Sequence, residues 1–117
     1  MTAVGSIRTL FAVEDASGKY AIGQVVRHRV YPFRGVIFDV DPQFQGAAAW
    51  YAQMARSRPP RDEPWYHVLV HDAMHTTYVA EQNLDADATG APIRHPLLEE
   101  FFDGFEDGRY CTRRRAN

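Results

Sequence analysis

The sequence predicts a mainly β protein: a small, strongly bent sheet or partly open barrel with one inserted helix and a short C-terminal helix. Two segments of the chain each contain a pair of short strand-like stretches around a turn, and a segment with helical spacing separates them. The chain has 117 residues, of which 45% are hydrophobic, and this suits one domain with one modest core. Short strands favour a barrel because closure removes exposed edges.

The first strand pair lies between residues 24 and 40. In residues 24–30, Val26, His28 and Val30 share one face and Val25, Arg27 and Arg29 share the other, which is the period of a strand. Residues 31–35 form a connection marked by Pro32 and a glycine, and residues 36–40 alternate again. Two strands joined by a short loop indicate a hairpin.

A helix is predicted to begin at Asp41 and Pro42. The Asp41 carboxylate suits the N-cap position, and proline at the first helical position loses no hydrogen bond. Apolar residues follow at i, i+3, i+4 and i+7: Phe44, Ala47, Ala48 and Tyr51. The helix is expected to end before Pro59 and Pro60.

A second hairpin is predicted from strands at residues 65–71 and 76–81 around a turn at 72–75. Residues 85–92 are acidic and rich in turn formers. Residues 96–105 are predicted to form a helix that ends at Gly108. Its apolar stripe is Leu97, Leu98, Phe101, Phe102 and Phe105. These side chains need burial against this domain, which is favoured, or against another chain. Leu98, Phe101, Phe102 and Phe105 are therefore candidate protein-interaction residues.

This pattern divides the chain into three parts. Residues 1–18 form an N-terminal extension, in which residues 7–13 suit either a strand or a short helix. Residues 19–107 form the barrel domain. Residues 108–117 form an Arg-rich tail, expected to be disordered around Arg113 to Arg115.

Composition excludes several classes of protein. The 24% of charged residues is ordinary for a globular domain and unlike a disordered, collagen-like or coiled-coil chain. No apolar run reaches the ~20 residues of a membrane span, and residues 1–12 lack a signal-peptide pattern, so we expect no membrane association. The single cysteine, Cys111, cannot form an intrachain disulfide, which favours the reducing cytoplasm.

The net charge of −2 conceals an uneven distribution. Residues 19–61 contain seven basic and two acidic residues, whereas residues 81–107 contain eight acidic and one basic residue. A local basic face would attract phosphates. The alternative, which composition alone favours, is a solvated surface with uneven charge.

The sequence contains several residues of the types that carry out catalysis or bind metals. His71 and His75 flank the turn, with Asp72 as a third metal ligand, but a zinc site needs three or four convergent ligands. Asp39 and Asp41 can share a strand face as paired carboxylates, although Asp41 already serves as the expected helix cap. The chain has no Walker sequence, Gly-x-Gly-x-x-Gly or nucleophile elbow.

We therefore expect a protein that is not an enzyme, without a metal or cofactor. His28 and His67 alternate with apolar residues on strands, so we expect each to be a hydrogen-bonded, partly buried histidine.

Basic and aromatic residues are interleaved around the first turn. Arg27, Arg29 and Arg34 alternate with Tyr31 and Phe33, and such a set can grip phosphates and stack on bases. The candidate DNA-binding residues are therefore Arg27, Arg29, Arg34 and Tyr31. In the favoured alternative, the aromatic side chains plug a barrel end while the arginines are solvated or paired with Asp39 and the acidic C-terminal third.

Five ordered stretches resemble the HspQ family, also called YccV-like or hemimethylated-DNA-binding domains. They are residues 22–29 (IGQVVRHR), 31–42 (YPFRGVIFDVDP), 64–70 (PWYHVLV), 78–84 (YVAEQNL) and 93–96 (IRHP). The resemblance implies an SH3-like β-barrel and a non-enzymatic cytoplasmic heat-shock protein. It also implies a link to protein quality control through the Lon protease and its clients, among them DnaA, and binding of hemimethylated DNA.

Three hypotheses follow from these observations. A role in proteolysis, as adaptor or specificity factor, ranks first because it needs only an accessible edge or apolar patch and suits the mild negative charge. DNA binding ranks second because the chain has no basic recognition helix. A structural, homo-oligomerising module is the third.

Overall fold

The computed structural model describes residues 18–55 and 57–113. Residues 1–17 of the predicted extension, among them residues 7–13, and residues 114–117 of the predicted tail lie outside this part. The elements are β1 (Val25–His28), β2 (Arg34–Asp41), α1 (Ala48–Met54), β3 (Trp65–Val70), β4 (Thr76–Ala80), a 3₁₀ turn (Glu81–Asn83), β5 (Leu84–Ala86), α2 (Leu98–Phe101), β6 (Phe102–Glu106) and β7 (Arg109–Thr112).

The main sheet has five antiparallel strands in the order β4-β3-β2-β1-β5. The 3₁₀ turn carries the chain from β4 at one edge to β5 at the other, where β5 pairs with β1. The sheet bends without closing into a complete barrel. This confirms the predicted fold class, a small and partly open β structure with helices.

Both predicted hairpins are present. In the first, Val25 pairs with Val36, and in the second, Leu69 pairs with Thr76 across a turn at residues 71–75. The alternation of side chains along the sequence was sufficient to predict these strands, because each strand places apolar side chains on a buried face.

The core lies on both faces of the sheet. One cluster consists of Val26, Ile37, Tyr66, Val68, Val79 and Leu84. The other consists of Val25, Val36, Leu69, Ile93 and Phe102. Each such side chain contributes roughly 1.5–3 kcal/mol on burial. Since the central strands β2 and β3 supply both clusters, they position everything attached to the sheet.

The inserted helix begins later than the sequence predicts. Asp41 is the last residue of β2, and helix α1 begins at Ala48 after Ala47, without a side-chain cap. The prediction of Asp41 as helix cap is wrong because its carboxylate instead accepts hydrogen bonds from Tyr78 and His67. These tertiary contacts replace the local capping bond.

The C-terminal region differs most from its prediction. The helix predicted for residues 96–105 is confined to Leu98–Phe101, and a hairpin of β6 and β7 follows. Gly108 does not end a helix. With Asp107 it forms the two-residue hairpin turn, at φ angles of 53° and 77°, as a type I′ turn requires. Strand β7 therefore occupies the first part of the predicted tail.

Strand β5 lies in a segment that was predicted to be rich in turns. Its residues Asp85 and Ala86 pair with β1. Among residues 18–55 and 57–113, no helix has the length and apolar composition that crossing a bilayer requires.

Candidate functional site

A groove of about 510 Å³ runs beside β4, the edge strand of the sheet. Its walls come from the β1–β2 loop, helix α1, the Pro59 loop and four consecutive residues of β4, and we call it the aromatic groove. Its lining residues are His28, Val30, Tyr31, Phe33, Trp50, Gln53, Met54, Ala55, Ser57, Pro59, Trp65, Thr77, Tyr78, Val79, Ala80 and Asn83. Within the described chain, no strand pairs with the outer edge of β4.

The floor of the aromatic groove is held by ring packing around Trp65, which is buried. The Phe44 ring lies 5.0 Å from the Trp65 ring, and Trp50 packs edge-on against Trp65 at 6.1 Å. The indole N–H of Trp65 donates to the Pro60 carbonyl at 3.1 Å. Because the aromatic side chains contact one another, the groove is formed before any ligand arrives.

The rim of the aromatic groove exposes apolar side chains to water. Val30 is 70% exposed, Tyr31 54% and Met54 61%. These residues come from the first turn and the end of α1, so the exposed apolar surface is assembled from segments distant in sequence. An exposed patch of this kind beside a preformed groove is typical of a binding surface.

His28 holds the β1–β2 loop in place. Its Nδ1 accepts hydrogen bonds from the backbone N–H groups of Val30 and Tyr31, each at 3.0 Å. Its ring lies 4.9 Å from the Tyr31 ring and 5.1 Å from the Phe33 ring. Burial lowers the pKa of His28, which favours the neutral imidazole that can accept these bonds. The expectation of a hydrogen-bonded, partly buried histidine is confirmed.

The arginines proposed for DNA binding have different surroundings. The Arg34 guanidinium donates to Asp87 Oδ2, with its closest nitrogen at 3.1 Å, and to the Ala91 carbonyl. The Asp87 side chain is only 2% exposed. Arg34 therefore anchors the loop at residues 87–91 to the sheet and is not free on the surface.

The two remaining arginines are more accessible. Arg29 lies 3.6 Å from Asp85, and both side chains are more than half exposed. Arg27 is exposed on β1, where its register partners are Arg34 and Asp85. The arginines of the first hairpin thus face aspartates of the acidic segment, as the alternative interpretation expected, while Asp39 takes no part in these pairs.

A second cleft, of about 470 Å³, lies between Tyr31 and the 87–89 loop. Arg27 and Arg34 contribute positive charge to its lining, and Asp72 and Asp87 contribute negative charge. The cleft therefore brings the candidate residues Arg27, Arg34 and Tyr31 together in a setting of mixed charge.

The candidate protein-interaction residues pack against their own sheet. Phe102 is buried in the second core cluster, and Leu98, Phe101 and Phe105 cover the cluster while remaining partly exposed. The Phe101 ring lies 4.7 Å from the Phe38 ring. A shallow surface recess remains between Leu98, Phe105 and their neighbours.

His71 and His75 do not converge on a metal. His71 Nδ1 accepts the backbone N–H of Arg94, and its Nε2 lies 3.3 Å from Asp72. The Asp72 carboxylate is bound by the Arg94 guanidinium through two contacts of 2.7 Å. The pKa of Asp72 is lowered chiefly by that hydrogen bond to Arg94.

A different set of residues meets on β2 and β3. Asp39, Asp41 and His67 each place one donor atom within 4.8 Å of the others. The sequence does not reveal that the two aspartates meet His67, because the pairing register of β2 and β3 cannot be predicted from it. The aromatic groove was not predicted either, and its only signal in the sequence was the apolar run Val30 to Phe33 inside a turn.

A small, bent β domain with a preformed groove belongs to the class of modules that bind ligands through surface recognition. A family model described as hemimethylated DNA-binding protein YccV like matches residues 18–109. The chain belongs to this family of binding domains, and the resemblance identified in the sequence is confirmed.

Proposed function

We propose that this protein is a non-enzymatic recognition module that binds extended apolar segments of client proteins and modulates their proteolysis by the Lon protease in the cytoplasm. The observation that carries this proposal is the aromatic groove beside the outer edge of β4, with which no strand of residues 18–55 and 57–113 pairs. An extended segment can pair with such an edge through its backbone while alternate side chains enter the groove. Damaged and unfolded clients expose segments of this kind.

The geometry supports this role in two ways. First, the groove volume falls in the range of sites that enclose several side chains, and aromatic packing holds the floor in place. Second, the exposed rim residues Val30 and Met54 lose water on binding, which favours association. Lon and clients such as DnaA enter the proposal through the family resemblance.

A second surface is proposed for contact with a protein partner such as the protease. Leu98, Phe101 and Phe105 remain partly exposed beside the recess, and they pack against the core cluster that contains the buried Phe102. This surface belongs to the C-terminal segments, whereas the aromatic groove is built from β4, α1 and the two loops. One module can in principle contact a client and a protease through separate surfaces.

The test of client binding compares two exposed methionines. Met54 lies at the rim of the aromatic groove, whereas Met74, at 82% exposure, lies in the β3–β4 turn. A fluorescently labelled, permanently unfolded carboxymethylated protein is titrated against wild type, Met54→Gln and Met74→Gln, with binding read by anisotropy. Burial of a methionine contributes roughly 1.5–3 kcal/mol. We therefore expect about tenfold or greater loss of affinity for Met54→Gln and none for Met74→Gln.

The protease link is tested with the same variants. Lon degrades the labelled client in the presence of each protein, and the release of fluorescent peptides gives the rate. We expect wild type and Met74→Gln to change the rate equally and Met54→Gln to change it less. Equal effects of all three proteins, or no effect of any, would contradict the proposal.

DNA binding is the second candidate function, favoured by the family description and by the exposure of Arg27, Arg29 and Tyr31. Matched duplexes with a hemimethylated, fully methylated or unmethylated site are titrated at two salt concentrations. Specific recognition predicts preference for the hemimethylated duplex and its loss in Arg27→Ala/Arg29→Ala, with Arg109→Ala as control. Weak binding that is equal for all duplexes and lost at moderate salt would indicate non-specific attraction only.

A homo-oligomeric module is the third candidate. The outer edge of β4, which no strand of the described part of the chain occupies, can add a strand from a second copy of the chain. This hypothesis predicts a molar mass that rises with concentration in light scattering. A constant monomeric mass would exclude it over the range measured.

A further inference from the structure

We propose that Asp39, Asp41 and His67 form a binding site for a first-row divalent transition cation, with Zn²⁺ as the reference ion. The three donor atoms lie within 4.8 Å of one another, and His67 Nε2 is 3.0 Å from Asp41 Oδ2. Zinc binds nitrogen and oxygen ligands at about 2.0–2.2 Å in a tetrahedral arrangement, so two ligand atoms of one ion lie about 3.3–3.6 Å apart. The Asp41 and His67 donor atoms are already close to this separation, and the exposed Asp39 side chain has room to rotate toward them.

The backbone places these residues on one rigid face. Asp39 and His67 are direct register partners on β2 and β3, and Asp41 follows two residues later on the same face of β2. A β-bulge shifts the register between Ile37 and Asp39. Since a bulge re-aims the side chains that follow it, this irregularity directs both aspartates toward His67. Ligands fixed on paired strands lose little freedom when an ion binds.

Groups around the donor set orient it in the manner of outer-shell partners at metal sites. The Tyr78 hydroxyl donates to Asp41 Oδ2 at 2.6 Å, and its ring lies 4.5 Å from the His67 ring. The backbone N–H of Gln45 donates to the same hydroxyl at 3.0 Å.

The donor chemistry selects the type of ion. One imidazole with two carboxylates suits zinc, iron, cobalt or manganese, whereas Ca²⁺ takes six to eight oxygen ligands. Three protein ligands leave coordination positions for water or for a carboxylate of a bound partner. The site also lies where three stretches that carry the family resemblance meet: residues 31–42, 64–70 and 78–84.

The alternative is an ordinary ion pair between Asp41 and His67, in which Asp39 has no part. The variant Asp39→Asn separates the two interpretations. Asp39 is exposed, and among the described residues its Oδ1 accepts one hydrogen bond, from the Val40 N–H, which an asparagine oxygen can also accept. The substitution therefore removes a metal ligand while leaving the fold and the Asp41–His67 contact in place.

The experiment uses tag-free full-length protein treated with a chelator and dialysed. Zn²⁺ is titrated by calorimetry, and Co²⁺ by visible absorbance, which reports nitrogen and oxygen ligation of the ion. We expect one equivalent to bind to wild type, with at least tenfold weaker binding in Asp39→Asn and in His67→Gln. The matched controls Asp62→Asn and His75→Gln, both exposed and outside the cluster, should bind as wild type does.

Backbone amide spectra locate the ion independently of affinity. Zn²⁺ should shift the signals of Asp39, Asp41 and His67 in wild type, and at the same Zn²⁺ concentration it should shift those of Asp41 and His67 much less in Asp39→Asn. No binding up to millimolar Zn²⁺, or equal affinity of wild type and Asp39→Asn, would overturn the proposal. Circular dichroism of each variant shows that any loss of binding occurs in a folded protein.

Discussion

The contact between Arg34 and Asp87 gives a prediction that can be worked out in detail. The Asp87 carboxylate is almost fully buried, and the Arg34 guanidinium binds both it and the Ala91 carbonyl. The substitution Arg34→Met keeps an unbranched apolar stem but removes the charge and all three hydrogen bonds. Asp87 is then left as a buried carboxylate without its cationic partner.

The expected cost is large at neutral pH. Removing one partner of a buried ion pair destabilises a protein by about 3–5 kcal/mol, and the partial exposure of Arg34 places the effect near the lower end. With a urea m value of about 1.5 kcal/mol/M for a domain of this size, the unfolding midpoint falls by about 2 M. Arg94→Met is the matched control, because the Arg94–Asp72 pair has even shorter contacts, at 2.7 Å, but is exposed, and it should leave the midpoint nearly unchanged.

The pH dependence of this loss has a defined sign. Burial opposes ionisation of Asp87, but hydrogen bonds from Thr89 and Arg34 outweigh it and hold the pKa of Asp87 below its usual value. In wild type this group therefore contributes stability above the unfolded pKa, near 3.8, and that stability is lost as pH falls through the lower folded pKa. In Arg34→Met burial dominates, so the folded pKa rises and acidification relieves the unpaired charge.

The difference in unfolding free energy between wild type and Arg34→Met should thus shrink as pH falls from 7 to 4. Urea unfolding followed by tryptophan fluorescence at several pH values measures it. A difference that stays constant over this range, or a cost no larger than that of Arg94→Met, would show that Arg34 does not stabilise the fold by neutralising a buried Asp87. Such a result would mean that Arg34 behaves as a solvated surface arginine.

Three further predictions concern the fold. Gly35→Ala should destabilise the protein by about 1–3 kcal/mol, because the added Cβ would clash with backbone and side-chain atoms of β3. Gly104→Ala should be nearly neutral, because its Cβ would make only ordinary contacts. Thermal unfolding compares the two variants. Tyr66→Phe should cost about 1–3 kcal/mol in urea unfolding, because Glu81 loses the 2.6 Å hydrogen bond from the buried hydroxyl; an unchanged midpoint would contradict this. Gly108→Val should weaken the β6–β7 hairpin, seen as faster amide exchange confined to that hairpin, because φ there is +77°; protection equal to wild type would argue against it.

The sequence was informative wherever local pattern and tertiary burial agree. The two hairpins followed from alternation because the same faces are buried in the fold. The start of α1 could not be predicted, since Asp41 suits both a helix cap and a strand end. Hydrogen bonds from Tyr78 and His67, both distant in sequence, decide between them.

The prediction of a helix over residues 96–105 was wrong for a similar reason. Leu98 to Phe105 have helical spacing, yet Phe102 and Phe105 reach the core from a strand. The Asp107-Gly108 pair was the available signal for a hairpin, and it was interpreted as a helix stop instead.

The candidate site was less accessible to sequence reasoning than the fold. The aromatic groove combines a loop, a helix end, a proline-rich turn and an edge strand, and only the folded chain brings these together. The basic residues were recognised by their spacing, but their pairing with Asp85 and Asp87 depends on β5 lying next to β1. Charge patterns along a sequence do not contain that information.

The most direct test of the proposed client-binding role is an amide-shift titration of isotope-labelled protein with the unfolded client and, separately, with the hemimethylated duplex. Client binding in the aromatic groove should shift the signals of Val30, Thr77 and Asn83, and Met54→Gln should suppress these shifts. If the client leaves the groove unchanged while the duplex binds tightly and shifts Arg27 and Arg29, DNA recognition replaces client binding as the function.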